Sequence, residues 1–133
     1  MESEYIVVSP LSVVLPRKTK KDKNFILNLS IYRNTHYQIL NQAKIYYKNA
    51  MKTQISGLPV FDKIKLTLVL YTKTKRLTDI DNVLSIHAKF LLDALVELGR
   101  LPDDNYLYVP EICFRFGGVD KENARVDVVI NNI

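Results

Sequence analysis

The sequence predicts an α+β domain in which two main helices pack on a mixed β-sheet. Three observations predict it: helical periodicity over 36–52 and again over 83–98, strict apolar–polar alternation over 64–71 between them, and short strand-like runs near both ends of the chain. With 133 residues, 47% of them hydrophobic and 25% charged, the chain is expected to be one domain, 1–133, around one core.

Tyr5–Ser9 and Leu11–Leu15 read as strands separated by Pro10 and ended by Pro16. Arg17, Lys18, Lys20, Lys21 and Lys23 then fall within seven positions, a solvated loop whose charges repel one another until an anion neutralises them. Over 36–52, Ile39, Leu40, Ala43, Tyr46, Tyr47, Ala50 and Met51 recur at three- and four-residue steps, and Lys44, Lys48 and Lys52 form a basic ridge on a different face. Ile64, Leu66, Leu68 and Leu70 alternate with Lys65, Thr67, Val69 and Tyr71, the period of a strand with one apolar face. Residues 73–82 are a polar loop, and 83–98 form the second helix, stopped by Gly99. After Leu101-Pro102-Asp103-Asp104 a strand-like run leads to Phe116, Gly117-Gly118 begins a turn, and Arg125–Ile130 returns. The expected order is β-β-α-β-α-β-β.

No apolar run approaches the roughly 20 residues that cross a bilayer, so no membrane partner is expected. Glu2 and Glu4, with no basic-then-apolar pattern, predict no secretory leader. The single cysteine, Cys113, fits a sheet position in a protein of the reducing cytoplasm.

Charge is unevenly distributed. Residues 17–76 hold fourteen Lys/Arg against two acids, a net +12, while the rest of the chain is net −7. A basic surface beside a group of carboxylates suits a protein that holds phosphates and acts through metal ions. The acids with the informative spacing are Asp79 and Asp81 in Asp79-Ile80-Asp81-Asn82, and Asp104 in Asp103-Asp104 beyond the second helix. On an extended segment the first two project to one side, and their oxygens suit a hard cation. If the loop after the helix returns Asp104 to them, three carboxylates surround one site. Taken alone, each group has a second reading, as a helix cap or as a plain turn. Lys73, Lys75 and Arg76 directly precede the first group, where they are positioned to hold a nucleic-acid backbone. Tyr32, Tyr37, Tyr46 and Tyr47 are candidates either for stacking on an exposed base or for the edge of the core. His87 reads as structural or interfacial, and Asp93 as a helix residue making a local hydrogen bond or a dimer contact rather than as a ligand.

Asp79-Ile80-Asp81-Asn82, then Lys89-Phe90-Leu91-Leu92-Asp93-Ala94-Leu95, then Gly99, then Asp103-Asp104 resemble the RusA family of Holliday junction resolvases of bacteria and their phages. The specific part of the resemblance covers 79–104. It implies a RusA-like fold and a Mg2+-dependent (or Mn2+-dependent) endodeoxyribonuclease working as a homodimer. Its two sites would face a basic channel and cut opposed strands of a four-way DNA junction in recombination and repair. By position, the resemblance makes Asp79, Asp81 and Asp104 the metal-binding carboxylates and Lys89 the catalytic lysine. One departure stands out: the family's lysine follows the second aspartate by four residues, whereas Lys89 follows Asp81 by eight and Ser85 occupies the nearer place. Two other readings stay open at this point, a nucleic-acid-binding protein without catalysis and a less selective flap or fork nuclease.

Overall fold

Ile64, Leu66, Leu68 and Leu70 turn one face of strand β4 (Ile64–Thr72) into the buried centre of the molecule, and the rest of the chain is arranged around it. The computed structural model describes residues 3–133; Met1 and Glu2 lie outside the described residues, and so does the part of the N-terminal reading that rested on Glu2. Before β4 come β1 (Ser3–Ser9), β2 (Ser12–Leu15), β3 (Lys23–Ile26), α1 (Leu29–Arg33) and α2 (Tyr37–Ser56). After it come α3 (Ile80–Glu97), β5 (Glu111–Val119) and β6 (Arg125–Asn132). The main sheet has the order β1-β6-β4-β5, and β2 and β3 form a separate two-stranded ribbon. β4 pairs antiparallel with β6 and parallel with β5. The parallel pair follows from the crossover: α3 carries the chain from one end of β4 to the other, so β5 starts beside the start of β4. The expected α+β class with a mixed sheet is therefore present.

Helices cover one face of this sheet. α2 buries Ala43, Tyr47, Met51 and Ile55 at four-residue steps, and α3 buries nine residues, among them Leu84, Phe90, Leu91 and Leu95. Phe90 sits among three aromatic rings, Phe25 at 6.0 Å, Tyr32 at 6.4 Å and Tyr47 at 5.5 Å, and so joins α3 to β3, α1 and α2. Among the described residues no helix is long and apolar enough to cross a membrane.

Several elements differ from the sequence expectation, each for a local reason. β3 begins at Lys23, inside the expected basic loop, because Phe25 and Leu27 are both fully buried. α1 was not expected: five residues carry no readable period, and the Asn28 side chain starts the helix by accepting from Ile31 N at 2.8 Å. α2 runs on to Ser56 because Ile55 adds one more buried step. The strand-like run after Asp104 begins only at Glu111; before it, the Asn105 side chain and carbonyl accept from Leu107 N, Tyr108 N and Val109 N and hold a turn. Gly117 and Gly118 lie within β5 rather than beginning a turn. A Cβ on Gly117 would stand 2.6 Å from the Tyr71 ring, and Gly118 (φ +138°) absorbs a register shift between Leu70 and Tyr71. The Tyr71 ring is covered by Arg125, whose guanidinium carbon is 4.1 Å from the ring centroid and which is held by Asp120 and Asp127, each at 2.9 Å.

A buried polar group joins three elements. Ser9 Oγ of β1 lies 2.7 Å from Tyr47 Oη of α2 and 2.6 Å from His87 Nδ1 of α3. Burial pushes the Tyr47 phenol above its ordinary range and lowers the His87 imidazole to about 3. His87 is thus structural. The unfolded chain takes up a proton at this residue below its ordinary value of 6.5, and the folded chain does so only near 3. Its contribution to stability is complete above that ordinary value and is lost as pH falls through the interval. Chemical denaturation at successive pH values is expected to show stability declining from pH ~6.5 downward by up to about 1.4 kcal/mol per pH unit from this group. His87→Gln is expected to have a shallower slope, and an unchanged slope would remove His87 as the cause.

Candidate metal and nucleic-acid site

Asp79 occupies the N-cap position of α3, and Asp81 lies in its first turn. Helix α3 therefore begins three residues earlier than the periodicity predicts, and the extended D-x-D segment is corrected: its second aspartate is helical. The cause is Ile80, half-buried against the core, which draws the start of the helix inward. The Asp79 side chain makes no capping hydrogen bond. Both carboxylates are exposed, and among the described residues neither takes part in a side-chain hydrogen bond or ion pair. The cap reading of the sequence thus describes where Asp79 sits but not what its side chain does. Two positions apart, the two residues keep their Cα atoms within about 7 Å, and the helix N-terminus favours negative charge beside them.

Asp104 lies elsewhere. It lines a shallow surface cleft with Asp93, Val96, Glu97 and Asp103, at the C-terminal end of α3. Asp81 and Asp93 are twelve residues apart on one helix, a rise of about 18 Å. The expectation that the loop after α3 returns Asp104 to Asp79 and Asp81 within one chain is corrected by this length. Among the described residues no three His, Cys, Asp or Glu side chains gather closely enough to hold a metal ion. Of the two neighbouring acids, Asp103 is used by its own turn, accepting from Asp104 N at 2.7 Å and from Asn105 Nδ2 at 3.1 Å. The Asp104 carboxylate itself is exposed.

Lys89 is exposed on α3, about 12 Å along the axis from Asp81. Its Nζ stands 5.8 Å from the centroid of the Tyr32 ring, a cation–π contact with α1. α1 also touches the start of α3, where Ser30 Oγ donates to Asn82 Oδ1 at 3.4 Å. The eight-residue offset read in the sequence is thus a real separation along the helix.

The basic residues divide into two kinds. Lys44 pairs with Asp93 at 3.5 Å and Lys48 with Glu97 at 2.7 Å, joining α2 to α3, so two of the three lysines of the basic ridge are engaged by carboxylates of the neighbouring helix. The signal was present: acids four apart on one helix match lysines four apart on the other. Lys52, one turn further, is exposed. Lys73, Lys75 and Arg76 are exposed on the loop leading into Asp79, and none has an ion-pair partner among the described residues. Arg17, Lys18, Lys20 and Lys21 are exposed between β2 and β3, where Arg17 Nε donates to the Lys21 carbonyl at 2.7 Å and closes the loop; Lys23 opens β3. Of the tyrosines, Tyr47 is fully buried, whereas Tyr37 is exposed.

Periodicity did not reveal an apolar cavity of about 320 Å³ beneath the 72–78 loop, walled by Leu70, Ile80, Phe116 and Val119. The one hint was Ile80, an apolar residue set between two aspartates. The chain matches no protein-family model and no curated protein.

If this loop binds a nucleic-acid backbone, replacing Lys73, Lys75 or Arg76 singly by Ala is expected to weaken binding of DNA and to lower the slope of log affinity against log salt by about one each. Lys44→Ala and Lys48→Ala are expected to leave the slope unchanged. Fluorescence anisotropy over a salt series measures both, and equal slopes for the two sets would contradict the division.

Proposed function

We propose that this protein is a Mg2+-dependent endodeoxyribonuclease acting on branched DNA as a homodimer, with each metal site shared between the two chains. The observation that carries the reading is the pairing of Asp79 and Asp81, exposed at the start of α3 and without a side-chain partner among the described residues, with the exposed cations Lys73, Lys75 and Arg76 immediately before them. A carboxylate with no protein partner beside a phosphate-attracting loop is the arrangement that metal-assisted phosphodiester cleavage needs.

Asp79 and Asp81 offer the oxygen ligands that Mg2+ prefers, and a second copy is a natural source of the third carboxylate. β5 is an edge strand of nine residues, and Tyr106, Leu107 and Ile112 at its leading end are exposed. Such an edge invites pairing with another chain. α3 runs opposite to β5, so the Val119 end of β5 lies by Ile80 and the Glu111 end by the far end of α3. Antiparallel pairing of two β5 edges about a two-fold axis would set the Asp79 and Asp81 end of one α3 beside the Asp104 end of the other. The partner subunit's Asp104 would then complete the set.

When bound there, Mg2+ supplies activation of a water and stabilisation of the departing oxyanion. Asp79 and Asp81 fix the position of that charge, and Lys73, Lys75 and Arg76 hold the flanking phosphates. The basic 17–23 loop reaches a more distant part of the backbone. Lys89, which the resemblance makes the catalytic lysine, remains part of the proposal as a cation on the exposed side of the same helix. The absence of a three-carboxylate group within one chain among the described residues favours a second reading, nucleic-acid binding without catalysis.

A labelled four-way junction incubated with Mg2+ decides between them. The wild type is expected to cut it, and Asp81→Asn is expected to bind it while cutting at least 100-fold more slowly, about 2.7 kcal/mol in activation free energy. Linear duplex and flap substrates in parallel are expected to be cut less well. Binding without cutting by both proteins would leave the non-catalytic reading, and equal cutting of all three substrates would indicate a less selective nuclease.

A further inference from the structure

The cavity beneath the 72–78 loop has the chemistry of a site for a single unstacked base. Its walls are Leu70 and Ile80 from the core side and Phe116 and Val119 from β5, and the exposed Lys75 and Arg76 of the loop also line it. Phe116 is 52% exposed although it belongs to the helix-bearing face of the sheet, opposite Leu70 in register. The helices leave this end of β5 uncovered, so the ring is available as a stacking surface. A volume of about 320 Å³ lies at the small end for ligand pockets, enough for a flat heterocycle and too small for a folded peptide segment.

We propose that this cavity receives one nucleobase turned out of the bound DNA strand, stacked on Phe116, with Lys75 and Arg76 holding the phosphates on either side of it. Charge complementarity selects the occupant: the ligand must have an apolar flat body and an anionic connection at the mouth, and a nucleotide within a strand has both. Thr78, also in the lining, carries a hydroxyl able to meet the edge of a base. Asp79 is the next residue, so the base would leave the stack within about one nucleotide of the proposed metal position. Branch points favour this, since bases there are already partly unstacked and cost less to extrude. The inference rests on the nuclease reading only in taking DNA as the ligand; it requires no cleavage.

Four-way junctions carrying 2-aminopurine at single positions near the branch, bound in EDTA so that no cutting occurs, provide the test. With the wild type, fluorescence is expected to rise severalfold at one or two positions. Phe116→Ala is expected to lose that rise and to bind about tenfold more weakly, with the salt dependence unchanged because no phosphate contact is removed. Phe116→Tyr is expected to restore both, and Thr78→Val to alter which base brightens most. Since Phe116 is half exposed, these variants are expected to fold. A junction that binds without brightening at any position, or that brightens equally with Phe116→Ala, overturns the proposal. So does a Phe116→Ala protein that loses only its dimeric sedimentation, which would make the cavity part of the contact between copies. In each of these cases, cleavage of the unlabelled junction with Mg2+ tests the nuclease reading separately; failure to bind any DNA overturns both.

Discussion

The length and burial of α3 govern everything else in this protein. Nine of its residues are buried, and it forms the crossover between two parallel strands, so its two ends are held apart by a rigid rod of about 27 Å. One end carries two aspartates preceded by three cations, none of the five with a side-chain ion-pair partner among the described residues. The other carries Asp104 in a cleft with two further acids that are already neutralised by lysines of α2. As folded, the loop after α3 keeps Asp104 beside Asp93 and Glu97, at the end of the helix away from Asp79 and Asp81.

The same packing explains why some charges are free and others are not. Lys44 and Lys48 lie where α2 crosses the acidic side of α3, and each finds a carboxylate. Lys73, Lys75 and Arg76 lie on a loop that leaves the sheet before any helix can cover it, beyond the reach of those acids. Below that loop β5 carries the register shift at Gly117-Gly118, where Gly117 packs on Tyr71 and Arg125 covers that ring, and the helices leave Phe116 half exposed. An apolar cavity, an exposed group of cations and a carboxylate pair thus meet at one end of the fold because of where the helices stop.

Much of the architecture could be read from the sequence because it rests on local period. Ile64 to Leu70 declared β4 by alternation, and the stripes of α2 and α3 declared two helices. What escaped were elements set by single residues: the Asn28 cap of α1, the turn held by Asn105, and Gly117 and Gly118 inside a strand, the first because Tyr71 needs its space and the second because of its positive φ. The aspartates were legible as types and spacing, but their distance apart was not. The helix between Asp81 and Asp104 was legible too, but not that the loop after it leaves Asp104 beside Asp93 and Glu97 instead of leading back to Asp81. Likewise, the resemblance to junction resolvases named the residues, while the spacing of Lys89 already signalled that the helix carries it away from Asp81.

The claim that the site is shared between two copies makes an unusual demand on mixtures. Asp81→Asn and Asp104→Asn proteins, each inactive alone, are to be unfolded together, refolded and assayed for junction cleavage with Mg2+. If each site draws its carboxylates from both chains, every mixed dimer regains one intact site, and about a quarter of the wild-type sites should be restored. A mixture as inactive as either parent, with mixed dimers demonstrated by differential tagging, would contradict the account.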